Sequence, residues 1–498
     1  MYTNAYIKRF VGLFLFALCL PHLYAAEPPK YEIRAVWLTT NYGLDWPSKS
    51  ATNASGIKTQ QDELCLLLDS LKAANFNLVF LQVRTRGDVI YHSTIEPVSK
   101  VFSGKYGVLP GYDPLAFAIE ECHKRGMECH AWFVTFPVGT ERIVREQGTQ
   151  SVVRKKQSIV KRHKGEWFLD PGMPETTTYL VSLVNELIRN YDVDGIHFDY
   201  IRYPEEAKSF PDRSTYNKYG QKESYDDWRR NNINKIVTRL YDEVKQLKPW
   251  VVVSSAPLGK YNRIEKRPDA GWTAYESVFQ DPVNWLAQGK QDMIVPMMYY
   301  LHDDFFPFVD NWVENGNGRY VVPGLGAYRI DENEANWATT DITDQIDYGR
   351  FYGGNGNAFF RCAHALDNSK GLYDELKNNY YKYPAQLPPL KWLNDSKPDA
   401  PKEVFVEKTA ADSLKLSWKE PEGEGELTYT VYYSLTDSLN TTSAKEILAT
   451  GLRAKEIQMP IASETEQGFL FSVSASNRYR LESEPSPEAY YYQSEYIK

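Results

Sequence analysis

YDVDGIHFDYIRYP, residues 191–204, reads as a short apolar strand that ends in an acid, Asp199, and runs at once into Tyr200, Arg202 and Tyr203. An interior strand is normally bounded by turn residues. A carboxylate crowded by aromatics and an arginine suits the C-terminal rim of a parallel barrel, where side chains leave the core. Alternation along the strand sends Ile196 and Phe198 to one face and Gly195, His197 and Asp199 to the other. With the apolar pair against a helix layer, the second set climbs the barrel interior and Asp199 stands at the mouth. Asp194 has the opposite parity and sits at the strand base beside Gly195, so it reads as a turn residue.

Seven further segments share the near-continuous Val/Ile/Leu/Phe content of strands buried on both faces. They are IRAVWLT (33–39), NLVFLQV (77–83), ECHAWFV (128–134), WVVVSSA (250–256), DMIVPMM (292–298), YVVPGLG (320–326) and NAFFRC (357–362). Amphipathic runs at 61–75, 113–126, 174–191, 225–248 and 281–289 separate them, with weaker ones later. Asp113-Pro114 and Asp281-Pro282 read as caps followed by proline at the first helical position. Eight strand–helix units over about 350 residues predict an α/β chain closed into a (β/α)8 barrel. A doubly wound open sheet is the rival, but no Gly-rich phosphate loop supports it.

Beyond residue 385 the composition changes. Residues 383–401 carry five prolines, and the chain then runs in short alternating strands that include SLKLSW, LTYTVYYS and GFLFSVSASN. That pattern predicts a small all-β sandwich over 401–498, resembling a fibronectin type III domain, joined through a linker at 386–400. The barrel is assigned 27–385. Residues 1–26 read as a signal peptide: Lys8 and Arg9, an apolar run from Phe10 to Leu20, then small residues before position 27. The run is short for a membrane span, with a retained amino-terminal anchor as the alternative. Lipid attachment takes small residues next to the cysteine, whereas Leu18 and Phe16 precede Cys19, so the mature chain is expected to be secreted or periplasmic.

Loss of residues 1–26 removes Lys8 and Arg9 and no acid, leaving 55 basic against 65 acidic residues and a net charge of −10. That balance opposes a nucleic-acid partner. The one basic run, VVRKKQSIVKRHK (152–164), reads as a solvated loop. Cys65, Cys122, Cys129 and Cys362 are too sparse for a disulfide scaffold, and Cys122 with Cys129 is the one pair that an oxidising compartment brings into question. His197-x-Asp199 is half a metal site at most, with the other histidines scattered, and no GxSxG elbow or phosphate loop occurs.

Glycoside hydrolysis needs two carboxyl groups. Asp199 supplies one, as nucleophile or base. Glu96, in the segment after strand two, and Asp303, after strand six, are the two candidates for the acid, while strand five ends in SSAPLGK without one. Aromatics make up 14% of the chain, and Trp37, Trp46, Trp132, Tyr200, Tyr203, Tyr299, Tyr300 and Tyr328 fall at or just past strand ends. Rings of this kind stack on sugar faces, although Trp37 and Trp132 serve equally well as barrel packing.

EIRAVWLTTNYGLDWP (32–47), FNLVFLQVRTRGDVIYHSTIEPVS (76–99), WFLDPGMPE (167–175), DPVNWLAQGKQDMIVPMMYY (281–300) and the opening motif together resemble the glycosyl-hydrolase-like family 10. The likeness spans about 31–385 and implies a secreted or periplasmic barrel that hydrolyses glycan, peptidoglycan strands among the substrates. A carboxylate mechanism needs no cofactor, and the scattered histidines predict no metal. Arg84, Arg86, Asp88, His197, Tyr200, Arg202, Tyr203, Tyr299 and Tyr300 are then the residues expected to bind sugar. The motif DGIHFD also resembles the strand-four motif of the α-amylase clan, but His197 stands where that clan has arginine. The chitinase-like DGxDxDxE pattern departs at Ile201. A glycan-binding barrel without chemistry and a metal-dependent hydrolase are the competing readings; oligomeric state is left open.

Overall fold

The computed structural model describes residues 27–220, 222–410, 412–461 and 467–493. The expected signal peptide and Cys19 lie outside them. Eight parallel strands form the core: β1 Ile33–Leu38, β2 Leu78–Arg84, β3 Glu128–Val134, β4 Gly195–Asp199, β5 Val252–Ser255, β6 Met293–Ile294, β7 in two halves at Tyr320–Val321 and Gly324–Leu325, and β8 Gly356–Phe359. They pair in chain order from β1 to β7. The first half of β7 pairs with β6 through Tyr320 and Met293, and the second half pairs with β8 through Gly324 and Ala358. Because β8 also pairs with β1, the sheet closes on itself. This is the (β/α)8 barrel that the eight-fold rhythm predicts.

Two strands are interrupted by proline. Pro296 and Pro323 have no amide to give a ladder, so β6 stops at Ile294 and β7 is split. Beyond Pro296 the pairing resumes as single bridges from Met297 to Leu258 and Gly324.

The principal helices follow their strands: α1 Ala54–Ala73, α2 Pro114–Lys124, α3 Pro174–Asn190, α4 Tyr225–Leu247, α5 Pro282–Ala287, α6 Phe306–Glu314, α7 Thr339–Phe351 and the short α8 Cys362–Leu366. The Asp113 side chain caps α2 by accepting from the Ala116 amide, with Pro114 in the first turn. Asp281 does not cap α5; its carboxylate accepts from the Tyr261 hydroxyl at 2.9 Å instead.

Strand parity works as the sequence implies. Ile196 and Phe198 join the large apolar layer between strands and helices. A second core of Ile33, Trp37, Phe80, Trp132, Val252, Met293 and Val322 fills the barrel interior. Two glycines make room for it. A Cβ on Gly195 would stand 2.4 Å from His130 Nδ1, and one on Gly324 would stand 2.9 Å from the Trp37 ring.

The proline-rich segment is no free tether. Leu390 is fully buried at the end of the barrel core, with Leu387, Trp392 and Leu393 against the same cluster. The Trp392 indole donates to Asp292 at 2.9 Å. Beyond it, antiparallel sheets of three and four strands enclose one core around Leu416, Trp418, Val431 and Phe471. This unit docks on the N-terminal end of the barrel: Arg480 forks onto Glu128, which also holds His130 at 2.8 Å, and Arg478 grips Asp192. Asp194 belongs to this end. It accepts from the Cys129 amide and pairs with His123, both at 2.8 Å, which is the structural role its parity implies. Cys65, Cys122, Cys129 and Cys362 are free thiols. No helix among the described residues is long and apolar enough to cross a membrane.

One excursion departs from expectation. Between β3 and α3 the chain forms a small antiparallel sheet of Pro137–Thr140, Glu166–Leu169 and Val160–His163, with short helices between them. The basic run 152–164 lies here. It is pinned by buried Val152, Val153, Ile159 and Val160, so it is ordered structure and not a solvated loop.

Candidate active site

Asp199 ends β4 at the mouth, opposite Val134 of β3. The residue is 5% exposed. Oδ2 accepts from the Trp132 indole at 3.1 Å and Oδ1 from the Tyr200 amide at 2.7 Å. Tyr200 reaches that bond through a left-handed backbone, φ +48°, a conformation that bulky residues seldom adopt away from functional sites. Burial pushes the Asp199 carboxyl up to about 6; the Arg202 charge and the two hydrogen bonds hold it from rising further. A carboxyl that titrates near neutrality beside an indole is equipped for proton transfer.

An aromatic wall surrounds it. The Tyr299 ring stacks on Phe360 at 5.6 Å and meets Tyr328 edge-on at 5.7 Å, and Phe360 also touches Trp132. Arg202 lies over Tyr200 at 4.6 Å and Trp272 at 5.5 Å. On the side of the small antiparallel sheet, Arg86 pairs with Glu166 at 3.1 Å and covers the exposed Tyr42 ring at 5.6 Å. Tyr300 is half-buried under Lys260.

Several residues expected at the mouth lie elsewhere. Glu96 is sealed in the interior: Arg84 holds both its oxygens at 2.7 Å and the Tyr179 hydroxyl donates to Oε1 at 2.8 Å. Both side chains of the Glu96–Arg84 pair are fully buried, so neither meets a substrate. Asp88 closes the turn after β2, accepting from the Thr85 hydroxyl and the Arg86 amide. Tyr203 is buried among Phe210, Phe279 and Arg229. His197 lies wholly inside the barrel. The Trp37 indole donates to its Nε2 at 3.0 Å, so its Nδ1 carries the hydrogen and donates to Ser254 Oγ at 2.9 Å. Burial drives its pKa well down, and it is a neutral core imidazole. Trp37 and Trp46 are core as well.

Asp303 is exposed on the short turn 302–304, beyond β6. The charge that shifts the Asp199 carboxyl is that of Arg202. Nor do the described residues contain a group of three or more His, Cys, Asp or Glu arranged to hold a metal. The sequence reading missed Trp272, Phe360, Tyr42 and Glu166. Of these only Phe360 carried a local signal, as the last aromatic of a strand. The cleft lined by His123, Glu128, Arg453 and Arg478 is at the opposite end of the barrel, at the seam with the C-terminal unit, and is remote from Asp199.

The sequence profile described as glycosyl hydrolase-like 10 matches residues 32–314, more than half the chain and all of β1 to β6. The chain belongs to that family. Glycosyl hydrolase YngK of Bacillus subtilis (strain 168) is 28% identical over 493 residues, 95% of each chain. Glycosyl hydrolase DigH of Escherichia coli (strain K12) is 36% identical over 287 residues, 54% of this chain and 65% of that protein. Among solved structures, the PgaB (BpsB) glycoside hydrolase domain from Bordetella bronchiseptica aligns over 70% of this chain and 98% of its own, at 15% identity and a TM-score of 0.48. An endo-β-1,4-mannanase from Thermotoga petrophila aligns over 91% and 98%, at 12% identity and a TM-score of 0.41. The barrel assignment rests on the strand pairing described above. Family membership places the chain among glycosyl hydrolase-like proteins.

Proposed function

We propose that this protein is a secreted or periplasmic glycoside hydrolase that cleaves O-glycosidic bonds in a cell-envelope glycan, peptidoglycan strands included. The observation that carries this reading is Asp199: a lone buried carboxyl at the end of β4, titrating near 6, faced by aromatic rings. In this reading its raised pKa makes it the proton donor to the leaving oxygen, not the nucleophile or base that its position alone implied. The second carboxylate comes from a rim loop when substrate binds, and Asp303 is our candidate, since Glu96 is committed to Arg84. Tyr200, Arg202, Tyr299, Tyr300 and Arg86 line the sugar subsites. We assign the barrel to 27–385, the connecting segment to 386–400 and a fibronectin-like unit to 401–498.

The test is to incubate the protein, Asp199→Asn and Asp303→Asn with purified glycan strands and a polysaccharide panel, and to measure new reducing ends. We expect release by the parent and a loss of 10²-fold or more in both variants. Equal release by Asp199→Asn would sink the assignment. One observation favours a second reading, a glycan-binding barrel without chemistry: the hydrogen-bond partners of Asp199 are the Trp132 indole and the Tyr200 amide, and neither is a carboxyl group. Retention of glycan without release by any form would select it.

A further inference from the structure

Five arginines are buried among the described residues, and four share one solution. Arg34 is held by Glu32 at 2.8 Å, Arg84 by Glu96 at 2.7 Å, Arg229 by Asp212 at 2.6 Å and Arg480 by Glu128. That is what electrostatics demands, because a guanidinium cannot shed its proton and is costly to desolvate alone.

Arg202 is the fifth, and it breaks the pattern. It is 5% exposed, yet no carboxylate among the described residues lies within 4 Å of it. Of its five N–H donors, one makes a long bond of 3.5 Å to the Tyr203 carbonyl, and the buried Nε has no partner. Its flat faces are served by Tyr200 and Trp272, but ring contacts leave the in-plane donors unfilled. Both rings are open to solvent, 41% and 42% exposed, so the slot they form opens at the mouth. Asp199 senses the Arg202 charge without pairing with it.

We infer that the missing carboxylate is brought by the substrate: the glycan is acidic, and Arg202 forks onto a carboxyl group of the sugar bound beside Asp199. A planar two-oxygen anion matches the guanidinium edge between two rings. The inference rests on the glycosidase reading above and adds to it the chemical class of the sugar.

The experiment takes an envelope glycan that the protein cleaves and prepares a second form whose carboxyls are reduced to alcohols. The unmodified protein should lose about 10- to 100-fold in kcat/KM on the reduced form, the range for hydrogen bonds to a charged group. Arg202→Gln should lose a similar factor on the native glycan, mostly through KM, and its ratio of kcat/KM between native and reduced glycan should fall to about one. Arg202→Lys should restore part of the loss, keeping the charge but not the fork. Thermal unfolding checks that the variants are folded, and the comparison of glycans with the unmodified protein needs no variant. Equal rates on native and reduced glycan overturn the role of Arg202 and leave the glycosidase reading standing. Failure to cleave any glycan overturns both.

Discussion

The Trp132 indole, from the middle of β3, donates to Asp199 Oδ2 at the end of β4 across 3.1 Å. The bond spans 67 residues of chain and fixes the one carboxylate that β4 delivers to the mouth. Burial pushes that carboxyl up to about 6, while Arg202, the Tyr200 amide and the Trp132 indole pull it down. As a proton donor it must be protonated, so kcat/KM should be level below about pH 6 and fall above it. Trp132→Phe removes a donor that serves the ionised form, so the midpoint should move up by roughly one to two units. A pH–rate profile checks both statements. A rate that rises through pH 6 would instead make Asp199 the nucleophile or base.

Glu96 should matter to stability and not to chemistry. Glu96→Gln leaves Arg84 buried with half its partner gone, which costs about 3–5 kcal/mol in comparable pairs. Denaturant titration should show that loss, while kcat of the folded fraction stays within a few-fold of the parent. A drop of 10²-fold or more at unchanged stability would return Glu96 to the active site.

The docked C-terminal unit should make folding acid-sensitive through Glu128. Burial alone would raise its pKa, but Arg480 and His130 outweigh that and hold it at about 2, against 4.5 when unpaired. Its contribution is therefore complete above about pH 4.5 and is lost as pH falls from there towards 2. The difference is up to about 3 kcal/mol. Denaturant midpoints at pH 6 and pH 3 should differ less in Arg480→Met than in the parent.

Gly195 should tolerate no side chain. The Cβ of Gly195→Ala would fall 2.4 Å from the His130 ring, inside the barrel where nothing can yield cheaply. A loss of about 1–3 kcal/mol or more is expected, read as a lower Tm.

The sequence by itself determined the eight-fold repeat, the parity that lifts Asp199 to the mouth, the basal place of Asp194 and the β-sheet character of the C-terminal unit. These follow from periodicities of two and of three to four residues, which the chain carries locally. Only the tertiary structure decided which polar residues near strand ends face solvent. Arg84, Asp88, Glu96 and Tyr203 flank the strands as Tyr200 and Arg202 do, yet they are consumed by the interior. His197 has the parity of Asp199, but two residues lower it is spent between Trp37 and Ser254. Trp272 reaches the mouth from 70 residues beyond Arg202, and Leu390 plugs the other end of the barrel from outside its strands. A local pattern reports the face on which a side chain leaves the backbone. Whether it then meets water, a partner or a substrate is set by segments tens to hundreds of residues away, which only the closed barrel brings together.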